Sequence, residues 1–422
     1  HISIQIEGSA PRAPSPRKKS PRKGWTSAAA SLMASAKWRS KVDKRPSMMQ
    51  GQGMVELSTL ESKSSLSSPH HETKSESHAD FKLPEDVRNF QPLGERADVK
   101  SSCESLRENQ KKYVAVYKSK SKDKEKKLSQ IEDVLRKNVK QLKTVMLEGI
   151  KDQIYEENCD TKLEKVVDAG NKHFLDVYKS VYHTIENTEG VSLEQYKVEV
   201  KRAQAVIKSK SAPRQITSDP VDLLKHALIT APLYEKVVKD LLKDMEKNGV
   251  IRADEVKFSC APVKKLQRVT EKSMLKAKTP GDASKTLDLV RGMVICSDIP
   301  VITKMVAALT DLCSNGKIER VRLKDRFNNP SAGGWRDYMD NFMICGDKNK
   351  HICELQIVHK VMITARKGLP GHVVYGKVRN AMELSFLYVF CIALSLRDTY
   401  SLSLSLSLSL SLSLSVIYTH TH

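Results

Sequence analysis

Residues 318–357 read IERVRLKDRFNNPSAGGWRDYMDNFMICGDKNKHICELQI, and the alternation inside them decides the fold. The runs 318–323, 338–345 and 351–357 are short, rich in β-branched, aromatic and aliphatic residues, and separated by Gly, Pro, Asn and Asp, the pattern of strands joined by turns. Asp347-Lys348-Asn349-Lys350 is suited to closing a hairpin between the last two runs. Successive side chains of a strand point to opposite faces. Over 318–324 this puts Val321 and Leu323 on one face and Arg320, Arg322 and Lys324 on the other. In the last run Cys353, Leu355 and Ile357 share one face and Glu354 and Gln356 the other. A row of three cations can clamp phosphates or form an ordinary solvated strand face.

Upstream, residues 287–296 form another β-rich run that carries Asp288 among apolar neighbours. A carboxylate in such company is costly unless it is paired or binds a metal. Asp298 is placed to cap a helix containing Val301 to Leu312, and Asn315-Gly316 to end it. The order strand, helix, strand, strand, strand, then helices predicts a mixed sheet flanked by helices, an α+β fold. If Asp288 and Glu354 meet beside the basic row, they form a Mg²⁺ and nucleotide site.

Further out the texture changes. Asp219-Pro220 starts a helical stretch that is expected to break at Thr230-Ala231-Pro232, with a second helix running to Asn248-Gly249. Residues 83–210 form a helical region, with Leu128, Ile131, Leu135, Leu142 and Val145 spaced by three, four or seven. Asn138 and Gly149 fall on that seam, which favours an antiparallel bundle over a coiled coil. The region reads as a surface for a protein partner, without catalytic signal. Residues 1–82 are a basic Ser/Pro/Lys-rich tail with too few apolar residues to offset chain entropy, so disorder is expected. Residues 385–422 hold an apolar run shorter than the roughly 20 residues of a membrane span, then Ser-Leu repeats that resemble translated repeat DNA. The leading helices and sheet then occupy 219–384.

The 422 residues carry a formal charge of +21. Such a balance favours polyanions as partners of the basic tail, since clustered Lys and Arg gain by releasing counterions from phosphates. A membrane partner is not expected. Eight scattered cysteines without a C-x-x-C pair read as reduced thiols of a cytoplasmic protein, and the basic Ser-Pro stretch leaves the nucleus open.

The stretch Arg322 to Asp337, RLKDRFNNPSAGGWRD, resembles without gaps the R-F-K-D-Y-I-x-N-P-K-x-N-G-Y-Q-S pattern of RelA/SpoT synthetases. Glu354-Leu355-Gln356-Ile357 is similar to the family's E-V-Q-I strand, and Leu287-Asp288-Leu289-Val290 to its D-L-x-A strand. The resemblance spans 254–384 and implies a nucleotidyltransferase-like sheet that moves a pyrophosphate group from ATP to the 3′-hydroxyl of GDP or GTP, with Mg²⁺. Carried over, Asp288 holds the metal, Glu354 binds it and orients or deprotonates the hydroxyl, and Arg322 and Lys324 hold phosphates. Lys264, Lys265 and Lys272 assist, and Trp335 takes the place of a base-stacking Tyr. The family's Arg after the metal-binding Asp is Met293, its Arg after E-V-Q-I is Val358, and its His is Met339. These departures keep two alternatives open: a catalytically degenerate domain that binds nucleotide or protein, and a basic helical module that binds polyanions. No His-Asp pair occurs, so nothing supports the family's hydrolase activity.

Overall fold

Five strands form one mixed sheet: β1 (Val256–Cys260), β2 (Arg291–Cys296), β3 (Ile318–Asp325), β4 (Tyr338–Ile344) and β5 (Cys353–His359), in the order β1-β2-β5-β4-β3. Only β2 and β5 run parallel among these strands; each other neighbouring pair is antiparallel. The computed structural model describes residues 85–207, 211–276, 279–368, 374–389 and 391. The expected disordered tail and the Ser-Leu repeats lie outside them. The α+β class read from the sequence holds. β1 was not anticipated, because it is a five-residue edge strand whose alternation is too short to stand out. Asp288 is not inside a strand; β2 begins three residues later, and Asp288 sits in the loop that enters it.

Before the sheet come α1 (Glu85–Asn89), α2 (Ala97–Lys118), α3 (Lys124–Ile154), α4 (Cys159–Ala205) and α5 (Pro220–Lys247). Helix α2 pairs with α3 through Leu106, Tyr113, Leu128, Leu135 and Leu142, all buried. The two residues that interrupt the apolar seam both have local reasons. Asn138 bonds Ser105 and Asn109 across the pair at 3.1 and 3.0 Å. Gly149 lies so close to Leu93 and Arg96 that a Cβ there would meet Leu93 at 2.6 Å.

Helix α5 does not break at Pro232. Asp219 caps its first turn, accepting from Val221 N at 2.7 Å, and the helix continues through the proline. An interior proline costs on the order of 3 kcal/mol. Here Ala227, Tyr234 and Val238 are buried on either side of it, and Thr230 Oγ1 donates to Asp347 at 2.8 Å, so tertiary packing holds the helix in one piece.

Among the described residues the layers are completed by α6 (Leu266–Met274), α7 (Ile299–Ser314, capped by Asp298 as read), α8 (Lys360–Gly368) and α9 (residues 374–389). Tyr234 of α5 stacks on Phe342 at 6.0 Å, and Thr310 of α7 and Ala203 of α4 accept from Arg320. The sheet face carrying Phe258, Val294, Ile357 and Phe342 is therefore closed by helices. The opposite face carries Arg291, Met293, Glu354, Gln356, Asn341, Met339, Arg322 and Lys324, as the strand registers dictate.

The expected row of three cations is corrected at this point. Arg320 pairs with Phe342 but Arg322 pairs with the adjacent Asn341, so Val321 is an extra residue in a β-bulge. The bulge reverses the alternation and sends Arg320 to the helix-covered face, leaving Arg322 and Lys324 on the open one. No helix among the described residues is long and apolar enough to cross a membrane.

Candidate functional site

The open face of the sheet collects charge from four directions. Strand β3 supplies Arg322 and Lys324, β5 supplies Glu354, the loop into β2 supplies Asp288, and α6 with its approach supplies Lys264 and Lys272. Lys264 Nζ reaches Asp288 at 2.5 Å and Lys272 Nζ at 3.0 Å, so both carboxylate oxygens are engaged. Burial works against ionisation of Asp288, but Lys272 and Lys264 outweigh it and hold this carboxyl well below the usual range. Asp288 is charged at any physiological pH.

Glu354 differs. It is buried, and desolvation together with the Asp288 charge raises its pKa against the pull of Lys272, Lys264 and Arg322. Two acids in one cleft are thus split in character: one fixed as an anion, one made a better proton acceptor. Gln356 Nε2 donates to Glu354 Oε1 at 3.1 Å and fixes its rotamer. Arg322 is oriented by Asn341, whose Oδ1 accepts from Arg322 Nε at 2.9 Å and whose Nδ2 donates to Cys353 O at 3.2 Å.

The cations outnumber the acids. Desolvation and the adjacent Arg322 and Arg326 push the Lys324 ammonium down to about 8, even though this side chain is exposed at the outer end of β3. Lys276, just beyond α6, is likewise lowered by desolvation and by Lys272. Neither lysine closes an ion pair with a described residue. A cluster of cations that depress one another is a site waiting for an anion.

Two residues named from the sequence stand apart. Lys265 is exposed at the N-cap of α6. Trp335 is partly buried in the loop before β4, edge-on to Tyr178 at 5.3 Å, with the Arg366 guanidinium 5.2 Å from its ring centre. Its Nε1 donates to the buried Asp337 at 3.0 Å, and the other oxygen of Asp337 holds Arg326 at 2.7 Å. A base stacking on Trp335 would share the ring with Arg366.

Sequence reasoning missed Arg291, Lys276, Arg326 and Asn341. Arg291 was within reach of it, because Arg291 lies two residues before Met293 on the same strand and so on the same face, opposite Glu354 in register. Lys276 and Arg326 belong to no strand and gain their place only through the folded chain. A groove of about 720 Å³ lies elsewhere, between α3 and the segments around Arg214 and Asp282. It contains neither Asp288 nor Glu354; two of its cations, Arg136 and Arg214, are paired with Asp219, Asp222 and Asp282, Lys143 donates to Gly281 O at 3.0 Å, and Lys140 also lines it. The smaller but chemically richer sheet face is the better candidate.

No family model and no curated protein matches the chain. Solved structures do overlap part of it. Small alarmone synthetase 1 of Bacillus subtilis, bound to its product pppGpp, has 15% identity, with 42% of this chain and 96% of that chain covered and a TM-score of 0.27. Small alarmone synthetase 2 of the same organism has 21% identity over 44% and 96%, at 0.28. A GTP pyrophosphokinase family protein of Streptococcus pneumoniae has 14% over 43% and 94%, at 0.27. Likenesses at such scores carry no argument, and the case for function is made by the residues of the site.

Proposed function

We propose that the open sheet face is a nucleotide pyrophosphokinase site, moving a pyrophosphate group from ATP to the 3′-hydroxyl of GDP or GTP. What carries this reading is the meeting of the partly buried Asp288 and the buried Glu354, acids of opposite titration behaviour, beside cations that lack acidic partners. Phosphoryl transfer asks a protein chiefly for positioning and charge neutralisation. Arg322, Lys324, Lys264 and Lys272, joined by Lys276 and Arg291, line the path of a triphosphate. Arg291 stands near the place left by the arginine that Met293 replaces, and its Nη1 donates to Asp288 O at 3.0 Å.

In this reading Glu354 accepts the proton of the guanosine 3′-hydroxyl as that oxygen bonds to the β-phosphorus of ATP. The bond from the β-phosphorus to the AMP oxygen breaks, and AMP leaves. A carboxylate with a raised pKa suits that proton transfer. Mg²⁺ is commonly held by one or two carboxylates plus substrate phosphates and waters, so the pair fits it once Lys264 and Lys272 turn from Asp288 to the phosphates. Asp288 and Glu354 would hold it, and it would neutralise charge on the transferred group.

The test incubates the full chain with labelled ATP, GDP or GTP, and Mg²⁺, and resolves the guanosine products. Glu354→Gln should cut the rate by about 10²–10⁴-fold with nucleotide binding retained. An undiminished rate would remove Glu354 from its role. Met339 is buried on the same face beside Lys324, where the family resemblance leads one to expect His, and this favours a second reading, a domain that binds nucleotide without turnover. Binding without product in the wild-type chain would select it.

A further inference from the structure

Helix α9 closes the cleft at its lysine-rich end. Arg379 and Glu383 share one face of it, four residues apart, and with Lys264, Arg268, Glu271 and Lys272 they line a cavity of about 10 Å³. That is room for about one water and no phosphate. The other side of the helix is anchored: Asn380 Oδ1 accepts from Leu93 N at 3.0 Å, and Val378, Ala381 and Leu384 are buried. Packing on the opposite face thus sets the side of the helix that carries Arg379 and Glu383; the Arg379 guanidinium also lies 6.0 Å from the centre of the Tyr375 ring.

Two polar features of this wall lack an internal explanation. The Nε of Arg379 is buried with no acceptor, an arrangement that ordinarily costs the desolvation of the donor. Glu383 lies within electrostatic range of Lys276, Lys272 and Arg268 but closes no ion pair with a described residue, and burial raises its carboxyl to about 7. An anion set among these groups would answer the first and displace the second.

We propose that α9 is a further wall of the phosphate pocket, with Arg379 as a phosphate-binding residue and Glu383 as the resident acid that an incoming phosphate displaces. The inference rests on the pyrophosphokinase reading only in taking this cleft as the phosphate site. It concerns binding and does not require turnover.

The test measures binding of inorganic tripolyphosphate, and separately of ATP, to the full chain by titration calorimetry. Arg379→Gln should weaken both by about tenfold or more, the loss of one charge-assisted hydrogen bond, and Arg379→Lys should recover part of it. Glu383→Gln, nearly isosteric, should tighten both severalfold. Thermal melts identify any variant that fails to fold, and because the two residues predict opposite signs, either one alone decides. Lys272→Met separates the two ideas. If it weakens binding while the Arg379 and Glu383 variants bind like wild type, α9 has no such role and the cleft reading stands. If neither wild type nor Glu383→Gln binds either probe, both ideas fall.

Discussion

Arg320 and Arg322 are two residues apart on one strand and live in different chemistries. Arg320 has no solvent-exposed side chain. Its Nε pairs with Asp340, equally buried, at 2.8 Å, and its Nη1 donates to Ala203 O and Thr310 Oγ1. Arg322 is held by the neutral Asn341 and faces Lys324, Arg326, Glu354 and Asp288 across an open cleft. On the closed face a cation has its own anion; on the open face cations gather in excess. One inserted residue, Val321, separates an arginine of the closed face from one of the open face.

The largest effect that would break this comparison is on stability. Arg320→Met leaves Asp340 buried without its partner and should cost about 3–5 kcal/mol, read from the denaturant midpoint at constant m-value. Replacing both partners, Arg320→Met with Asp340→Leu, should recover most of that, since a buried ion pair is often no better than apolar packing of similar volume. A small loss in the single variant would mean that the pair is not what holds the closed face.

Arg322→Met should do the reverse. Desolvation lowers the Arg322 pKa, with Arg326 adding to it, so removal of the charge relieves that cost while leaving Oδ1 of the buried Asn341 without its donor; the net loss of stability should stay below about 1–3 kcal/mol, less than for Arg320→Met. ATP affinity should fall by about 1.5–3 kcal/mol. Equal destabilisation by the Arg320 and Arg322 variants would erase the distinction between the faces.

The same bulge marks the limit of what the sequence could tell. Local patterns identified β2 to β5 as β-rich runs, Asp298 as a cap by its residue type, and, by alternation, the split of Glu354 from Leu355 between faces. Alternation cannot see an inserted residue, so it placed Arg320 in the cleft. The rule that proline ends a helix misread Pro232 for a similar reason, because the packing of Tyr234 and Ala227 lies outside the local window. Asp288 drew notice as a carboxylate among apolar residues. Lys276, Arg379 and Glu383 drew none, since nothing in a Lys-rich helix end or in the amphipathic stretch 374–389 reveals which sheet it will lean on.

The smallest effect tests the cation excess itself. Lys324 is pushed down to about 8 by desolvation and by its basic neighbours, whereas a bound phosphate favours the ammonium and raises that pKa again. Binding therefore draws in a proton above pH 8: affinity for ATP should be full below about 8 and decline as pH rises through it. The decline should stay within about tenfold, because one hydrogen bond of several is at stake. Lys324→Arg, whose guanidinium stays charged, should flatten the profile between pH 7 and 9. A wild-type profile already flat over that interval would mean that Lys324 keeps its proton unaided, and that the open face is less crowded with positive charge than its contrast with Arg320 implies.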